Sequence, residues 1–431
     1  MDKILITKLS DEGRGLGHNL KPYFVTGALP EEEVSVKVLK KYKGIIEAVA
    51  TEVPINKSEH RVPAKCQHFL QCGGCSLQHI QYGYQVEFKL TKLQQLWQGY
   101  GYQQPEWQAP LTGPEFAYRR KARVSIRYVE KKQKLLLGFK ELDARKILDM
   151  QSCEVLTKSI QKHLFALQAL IGSLPEAKVI PQLELVEALE GVVVVIRHLQ
   201  PLSDASQQRL IEFAKISGWQ VWSQAKGPDT VKPLNASNDF LHYELPEFNL
   251  KLAFSPLDFV QVNAEVNQLM LSKVLNWLDL KPNDRVLDLF CGLGNFSLPI
   301  AQNCTQVIGV EGSDEMVLRA KTNAMTAGLA AKTSFYAQDL RQAPAGPWAQ
   351  AKFNKVLLDP PRSGAKSCLE WLVTKKPERL VYVSCNPKSM LNDIDVLFEH
   401  GYKAKFACIA DMFPHTAHTE VLVCFDLLDG L

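Results

Sequence analysis

From about residue 256 onward the chain alternates short apolar runs with amphipathic ones, and no other feature narrows the possible folds as far. RVLDLF, QVIGVE, KVLLDPP and RLVYVSC read as strands, separated by helical stretches such as DEMVLRAKTNAMTAG. Strand and helix in strict alternation predict a doubly wound parallel sheet over 256–431. Such sheets bind ligands beyond the carboxyl ends of their strands, so the chemistry is sought there.

The first of these strands, Val286 to Phe290, runs into the glycine loop CGLG and then into a helix. Gly292 and Gly294 let backbone amides approach a ligand, and the helix N-terminus favours its carboxylate. Dinucleotide-binding folds share such a loop. Here, however, the third glycine of G-x-G-x-x-G is missing, and Phe296 and Ser297 stand where small residues are preferred. The next strand ends in Glu311, seventeen residues past Gly294, where a carboxylate can accept hydrogen bonds from ribose hydroxyls. Upstream, FSPLDFVQVN sets Gln261 and Asn263 just before a helix.

Two later motifs bear on the reaction. KVLLDPPRSG ends a strand at Asp359 and stiffens the following loop with two prolines. RLVYVSCNP ends the next strand at Cys385, with Pro387 suited to a first helical turn. A thiol at a helix N-terminus is expected to have a depressed pKa and to be a better nucleophile. A lone cysteine at a strand end is ordinarily a packing residue, but this one shares the predicted carboxyl edge with the glycine loop. HTAHTEVLVCFDL brings Glu420 to the start of the last strand, flanked by His415 and His418, where it can act as general base. Thiolate and base together suit carbon 5 of uracil, a weak nucleophile until a thiolate adds at carbon 6. Once carbon 5 is methylated, its proton must be removed to expel the cysteine.

The first 54 residues read as short strands between turns, with Val34, Val36 and Val38 in the period of two of a half-buried strand. A closed barrel of about five strands fits this length. Residues 55–255 mix helix and strand: Gln85 to Trp97 has helical spacing, VSIRYV and LLLGF suit paired strands, and SDASQQRLIEFAKISG suits a helix between Ser203 or Asp204 and Gly218. Within this part, Phe116 to Lys146 holds eleven Lys or Arg against three acids, with Tyr118, Tyr128 and Phe139 interleaved. Basic groups with aromatics suit a phosphate backbone and unstacked bases, and Arg119, Arg120, Lys121 and Arg123 are the candidate contacts. A solvated charged hairpin is the plainer reading of the same segment.

Ten cysteines in 431 residues are too few for a disulfide scaffold. Four of them stand out: Cys66, Cys72 and Cys75 in CQHFLQCGGC, then Cys153 in DMQSCEVL. Four thiolates can hold zinc or a [4Fe-4S] cluster, and spacing alone slightly favours zinc, because C-x2-C pairs are common in zinc sites. The longest tight apolar run is Val192 to Ile196, and MDKILITKLSDEGRG has no apolar signal region. No membrane partner is therefore expected, and a cytoplasmic location is.

Taken together, DLFCGLGNF, DPPR, SCNP and HTAHTEVL resemble the RNA uracil-5-methyltransferase family, and EGRGLG…FVTGALPEEEV resembles the TRAM domain, an RNA-binding barrel. The resemblance implies Cys385 as nucleophile and Glu420 as base. It implies S-adenosyl-L-methionine contacts at Gln261, Phe290, Asn295, Glu311, Asp339 and Asp359. The RumA-type ribosomal RNA members carry a cubane with this cysteine pattern, so the resemblance favours [4Fe-4S] on Cys66, Cys72, Cys75 and Cys153. Barrel and cluster together imply 23S ribosomal RNA as substrate, with the target uracil in a loop or flipped out. The expected class is α/β multidomain: an OB-like TRAM barrel over 1–54, a central α+β iron-sulfur and RNA-binding domain over 55–255, and a Rossmann-like doubly wound methyltransferase domain over 256–431. A monomer is expected. Two other readings are an RNA adenine N-methyltransferase, which has no use for Cys385, and a non-catalytic ribosome-assembly factor, which has no use for Cys385 or Glu420.

Overall fold

The computed structural model describes residues 3–52, 54, 56–235 and 240–428. They divide into two compact units, the first built from Met1–Phe88, Pro114–Asp239 and Phe413–His418, the second from Lys89–Gly113, Phe240–Met412 and Thr419–Leu431. Each unit is discontinuous in sequence.

The first unit opens with a closed barrel of Lys3–Leu9, Gly15–Asn19, Lys21–Thr26, Glu33–Tyr42 and Ile45–Ala50. Ile4 and Ile6, Tyr23 and Val25, Val34 and Val36, and Ile46 and Ala48 fill its interior. They do so because side chains two apart share one face of a strand. The EGRGLG segment is tight for a steric reason: a Cβ on Gly17 would lie 2.4 Å from Ile4 Cγ2 and 2.5 Å from the Leu5 carbonyl oxygen. Only glycine lets the second strand pass the first this closely. At the barrel's edge the buried Glu32 carboxylate accepts from Arg61 Nε at 2.5 Å and Nη2 at 2.6 Å, and from the Leu29 amide at 2.8 Å. That cluster tethers the chain as it leaves the barrel.

The rest of the first unit is a six-stranded sheet in the order Val231–Pro233, Gln220–Gln224, Gly191–Arg197, Gln182–Ala188, Lys121–Val129, Lys134–Gly138. The last two are the antiparallel pair expected from VSIRYV and LLLGF. Helix Lys158–Gly172 lays Ile160, Leu164, Leu167 and Ile171 on this sheet, one helical stripe into one core. Helix Asp204–Ser217 is capped as its sequence predicts. Ser203 accepts from the Ser206 amide, and Gly218 closes the end in the left-handed conformation at φ 72°.

The second unit is an eight-stranded sheet in the order Thr333–Ala337, Gln306–Glu311, Arg285–Leu289, Lys355–Leu358, Arg379–Ser384, Glu420–Leu427, Tyr402–Ala410, Glu106–Trp107. The first five strands are parallel, as the alternating pattern predicts, and Glu420–Leu427 runs antiparallel beside them. Strand order reverses between Arg285–Leu289 and Lys355–Leu358, and such a switch point leaves a crevice at the carboxyl edge. Because Glu420–Leu427 is antiparallel, it begins at the edge where its parallel neighbours end. Among the described residues no helix is long and apolar enough to cross a membrane.

Candidate active site

Register brings the two candidate reacting groups together. Ser384 pairs with Val421 as the last rung between their strands, so Cys385 and Glu420 continue the ladder by one residue on opposite sides. Cys385 is half-buried and Glu420 is 7% exposed. Burial first, then the Glu420 and Asp359 carboxylates, push the Cys385 thiol above its ordinary value. The Arg362 guanidinium opposes them and lowers it. This corrects the expectation of a depressed thiol pKa. The helix that follows, Pro387–Asp393, is short and starts two residues later, and two acids beside a desolvated thiol outweigh it.

The acids are themselves displaced. Burial, with Asp359 adding to it and Arg362 opposing, raises the Glu420 carboxyl to about 8. Burial raises Asp359 to about 7. Asp288, beside the glycine loop, also rises to about 7, burial prevailing over the Ser297 hydroxyl that donates to it. Groups that change protonation near neutral pH, set around a thiol at a sheet's carboxyl edge, are equipped for proton transfer.

The Asp359–Gly364 loop is tied down at both ends. Asn386 Nδ2 donates to the Arg362 carbonyl at 2.9 Å, linking this loop to the residue after Cys385. Asp393 accepts from the Ala365 amide at 2.6 Å and from the Tyr382 hydroxyl at 2.8 Å. Arg362, three residues beyond Asp359, was not singled out from the sequence, although DPPR holds it in plain view.

At the glycine loop, Phe290 takes a left-handed φ of 64°, which a side chain adopts at a cost of about 1–3 kcal/mol. The amides of Phe290 and Cys291 both donate to the Val310 carbonyl. Glu311 is fixed by three amides, those of Gly292 at 3.1 Å, Gly312 at 2.7 Å and Ser313 at 3.1 Å. Asn295 exchanges hydrogen bonds with Asn267 at 3.0 and 3.2 Å and accepts from the Tyr243 hydroxyl. Gln261 is half-buried, two residues before Asn263, which caps helix Ala264–Leu278 by accepting from the Val266 amide. Asp339 lies just past strand Thr333–Ala337, but its carboxylate grips Arg341 at 2.9 and 2.8 Å, which holds it below its ordinary pKa. One acceptor is left over for a ligand: among the described residues, Asp288 Oδ1 is buried without a hydrogen bond. A spare carboxylate oxygen at the edge suits a cation carrying amino and hydroxyl donors, as S-adenosylmethionine does.

In the first unit, Cys72 and Cys75 pack against the core that contains Cys153. The Gly74 amide donates to Cys72 Sγ at 3.3 Å, and the Cys66 amide to Gln78 at 3.0 Å. Burial, then backbone or side-chain hydrogen bonds opposing it, and the neighbouring thiols adding to it, put Cys75 at about 12 and Cys153 at about 11. Among the described residues no three or more His, Cys, Asp or Glu are arranged to hold a metal ion.

The basic run does not form one exposed row. Arg120 is buried, Arg119 is half-buried, and Lys121 and Arg123 share Glu184 at 3.7 and 3.0 Å, with only Arg123 well exposed. A second basic feature was hidden by the barrel's balanced charge: Lys37, Lys40, Lys41 and Lys43 are exposed on and beside Glu33–Tyr42, with Lys40 and Lys43 over the Tyr42 ring.

A doubly wound sheet with this glycine loop and an acid ending the next strand is the fold of a methyltransferase domain, and residues 280–407 match a general methyltransferase domain. Residues 81–334 match the tRNA (Uracil-5-)-methyltransferase family. The chain is 43% identical over 428 residues to the 23S rRNA (uracil(1939)-C(5))-methyltransferase RlmD of Xanthomonas campestris pv. campestris, spanning 98% of this chain and 96% of that relative. It is 39% identical over 431 residues to the protein of the same name from Hahella chejuensis. In fold it is similar to the tRNA (uracil-54, C5)-methyltransferase of Pyrococcus abyssi, solved in complex with S-adenosyl-L-homocysteine, with a TM-score of 0.76 at 23% identity over 98% of this chain and 100% of that one. The chain belongs to the uracil-5-methyltransferase family, with the RlmD proteins among its relatives.

Proposed function

We infer that this chain methylates carbon 5 of a uracil in 23S ribosomal RNA, the uracil 1939 of its RlmD relatives' name, at the expense of S-adenosylmethionine. The adjacency of Cys385 and Glu420 across the end of one strand ladder is the observation that carries the chemistry. S-adenosylmethionine, when bound, supplies an electrophilic methyl group on a sulfonium. Gln261, Phe290, Asn295, Glu311, Asp339 and Asp359 hold it, Glu311 at the ribose. Asp339 must release Arg341 to take part.

Cys385 gives up its proton to water and its sulfur forms a bond to carbon 6 of the uracil, the carbon 5–carbon 6 double bond opening to place an electron pair on carbon 5. Arg362, whose charge lowers the thiol, favours the thiolate against the two acids. Carbon 5 then carries the new methyl group together with its original proton. Glu420 takes that proton, the electron pair restores the ring double bond, and the sulfur leaves as thiolate. A denaturing gel with cofactor labelled on its methyl group tests these roles. Cys385→Ala abolishes both turnover and covalent RNA capture. Glu420→Gln accumulates a methylated covalent complex on ordinary RNA. Release at the wild-type rate from Glu420→Gln would move the base elsewhere, with the exposed His418 next in line.

Cys66, Cys72, Cys75 and Cys153 hold a [4Fe-4S] cluster in this reading, supported by Cys72 and Cys75 packing against the core that contains Cys153 and by a backbone amide already directed at one sulfur. Protein purified without oxygen should contain about four irons per chain. Stoichiometric zinc in their place would overturn this.

A further inference from the structure

We propose that Lys89 is a positioning residue for Glu420, acting through Asp411; this rests on Glu420 being the base. Strand Tyr402–Ala410 ends at Ala410, which is the register partner of Glu420. The next residue, Asp411, meets Lys89 Nζ at 2.6 Å, with both side chains fully buried. The Asp411 amide also donates to the Leu111 carbonyl at 2.8 Å, and among the described residues Asp411 Oδ2 has no hydrogen-bond partner. Burying such a pair is costly, and apolar residues of similar volume would serve packing at least as well. What the pair supplies that packing does not is direction: it fixes where the strand stops beside the base.

The far arm of the same loop is gripped one helical turn away. Gln85, on helix Tyr82–Gly99 with Lys89, accepts from the His415 amide at 3.0 Å and lies 3.2 Å from His415 Nδ1. The amides of Ser76 and Leu77 donate to the His415 carbonyl.

The test uses the full chain with its RNA. Lys89→Met with Asp411→Leu removes the charges and keeps the bulk, and Lys89→Gln with Asp411→Asn keeps a hydrogen bond without charge. For the apolar pair the proposal expects unchanged cofactor affinity and unchanged adduct formation. Release of methylated RNA should be slowed at least about tenfold, because small misplacements of a reacting group are costly. The Gln–Asn pair should restore release. An apolar pair that releases RNA at the wild-type rate would overturn the proposal, as would equal losses in adduct formation and release. If the apolar pair fails to fold, Lys89→Met alone decides: slowed release with unchanged adduct formation supports the proposal and wild-type release overturns it. Glu420→Gln is run in parallel. If it releases RNA normally, the base assignment fails; if it traps the adduct while the clamp variants do not, the clamp alone fails.

Discussion

The Cys385 thiol is held between two acids that disfavour its ionisation and one arginine that favours it, so its titration reports on each neighbour separately. Glu420→Gln removes one of the opposing charges, and the midpoint for alkylation of Cys385 should move to lower pH. Arg362→Ala removes the supporting charge and should move it higher. Labelling with iodoacetamide across pH, read by mass spectrometry on the Cys385 peptide, measures both; equal midpoints in all three proteins would leave burial and Asp359 as the causes. The acids carry a stability signature as well. Glu420 at about 8 and Asp359 at about 7 lie above their ordinary values. A carboxyl raised on folding contributes stability that is complete below its unfolded pKa and is lost as pH rises through the folded one. The melting temperature of the free protein should therefore fall between about pH 5 and 9. Glu420→Gln should flatten the upper part of that decline, and an unchanged slope in the variant would assign the loss to other groups.

The Asp359–Gly364 loop shows how an element is fixed by a residue that does no chemistry. Gly364 has φ 84°, and a Cβ there would lie 2.3 Å from Asp393 Oδ2, the oxygen that holds the Ala365 amide and the Tyr382 hydroxyl. Gly364→Ala should cost about 1–3 kcal/mol in urea unfolding. It should also lower methyl transfer, because Asp359 and Arg362 ride on the same loop. Wild-type values on both assays would show that the loop accommodates the side chain. That anchoring lies outside what the sequence makes legible, and the reason is general. Barrel alternation, apolar parallel strands and the Ser203 and Gly218 caps are local patterns, and all are present in the structure. Lys89 meets Asp411 across 322 residues, and Glu184 claims Arg123 across 61. Neither pairing leaves a periodic trace. The site residues were legible as types at strand ends, but their titration was not, because it depends on which acids the sheet order places side by side.

At the scale of the whole molecule, a net charge of +4 says little about how the chain meets RNA, since what counts is which cations are free to exchange counterions. Arg120 is buried, and Lys121 and Arg123 already share an acid. Replacing them by Ala should act on folding more than on phosphate contact. The barrel residues Lys40, Lys41 and Lys43 surround a Tyr42 that is 54% exposed, an arrangement suited to a phosphate track beside an unstacked base. Each phosphate neutralised adds about 0.7 to the salt slope on single-stranded RNA, so changing these three lysines together to Ala should lower the slope of log K against log salt by about 2. Cofactor affinity should not change. Arg120→Ala should lower the melting temperature and leave the slope alone. Binding titrations from low to moderate salt, paired with thermal unfolding of each variant, separate the two effects. A slope that falls for Arg120→Ala and holds for the lysine variant would return RNA contact to the 119–123 run.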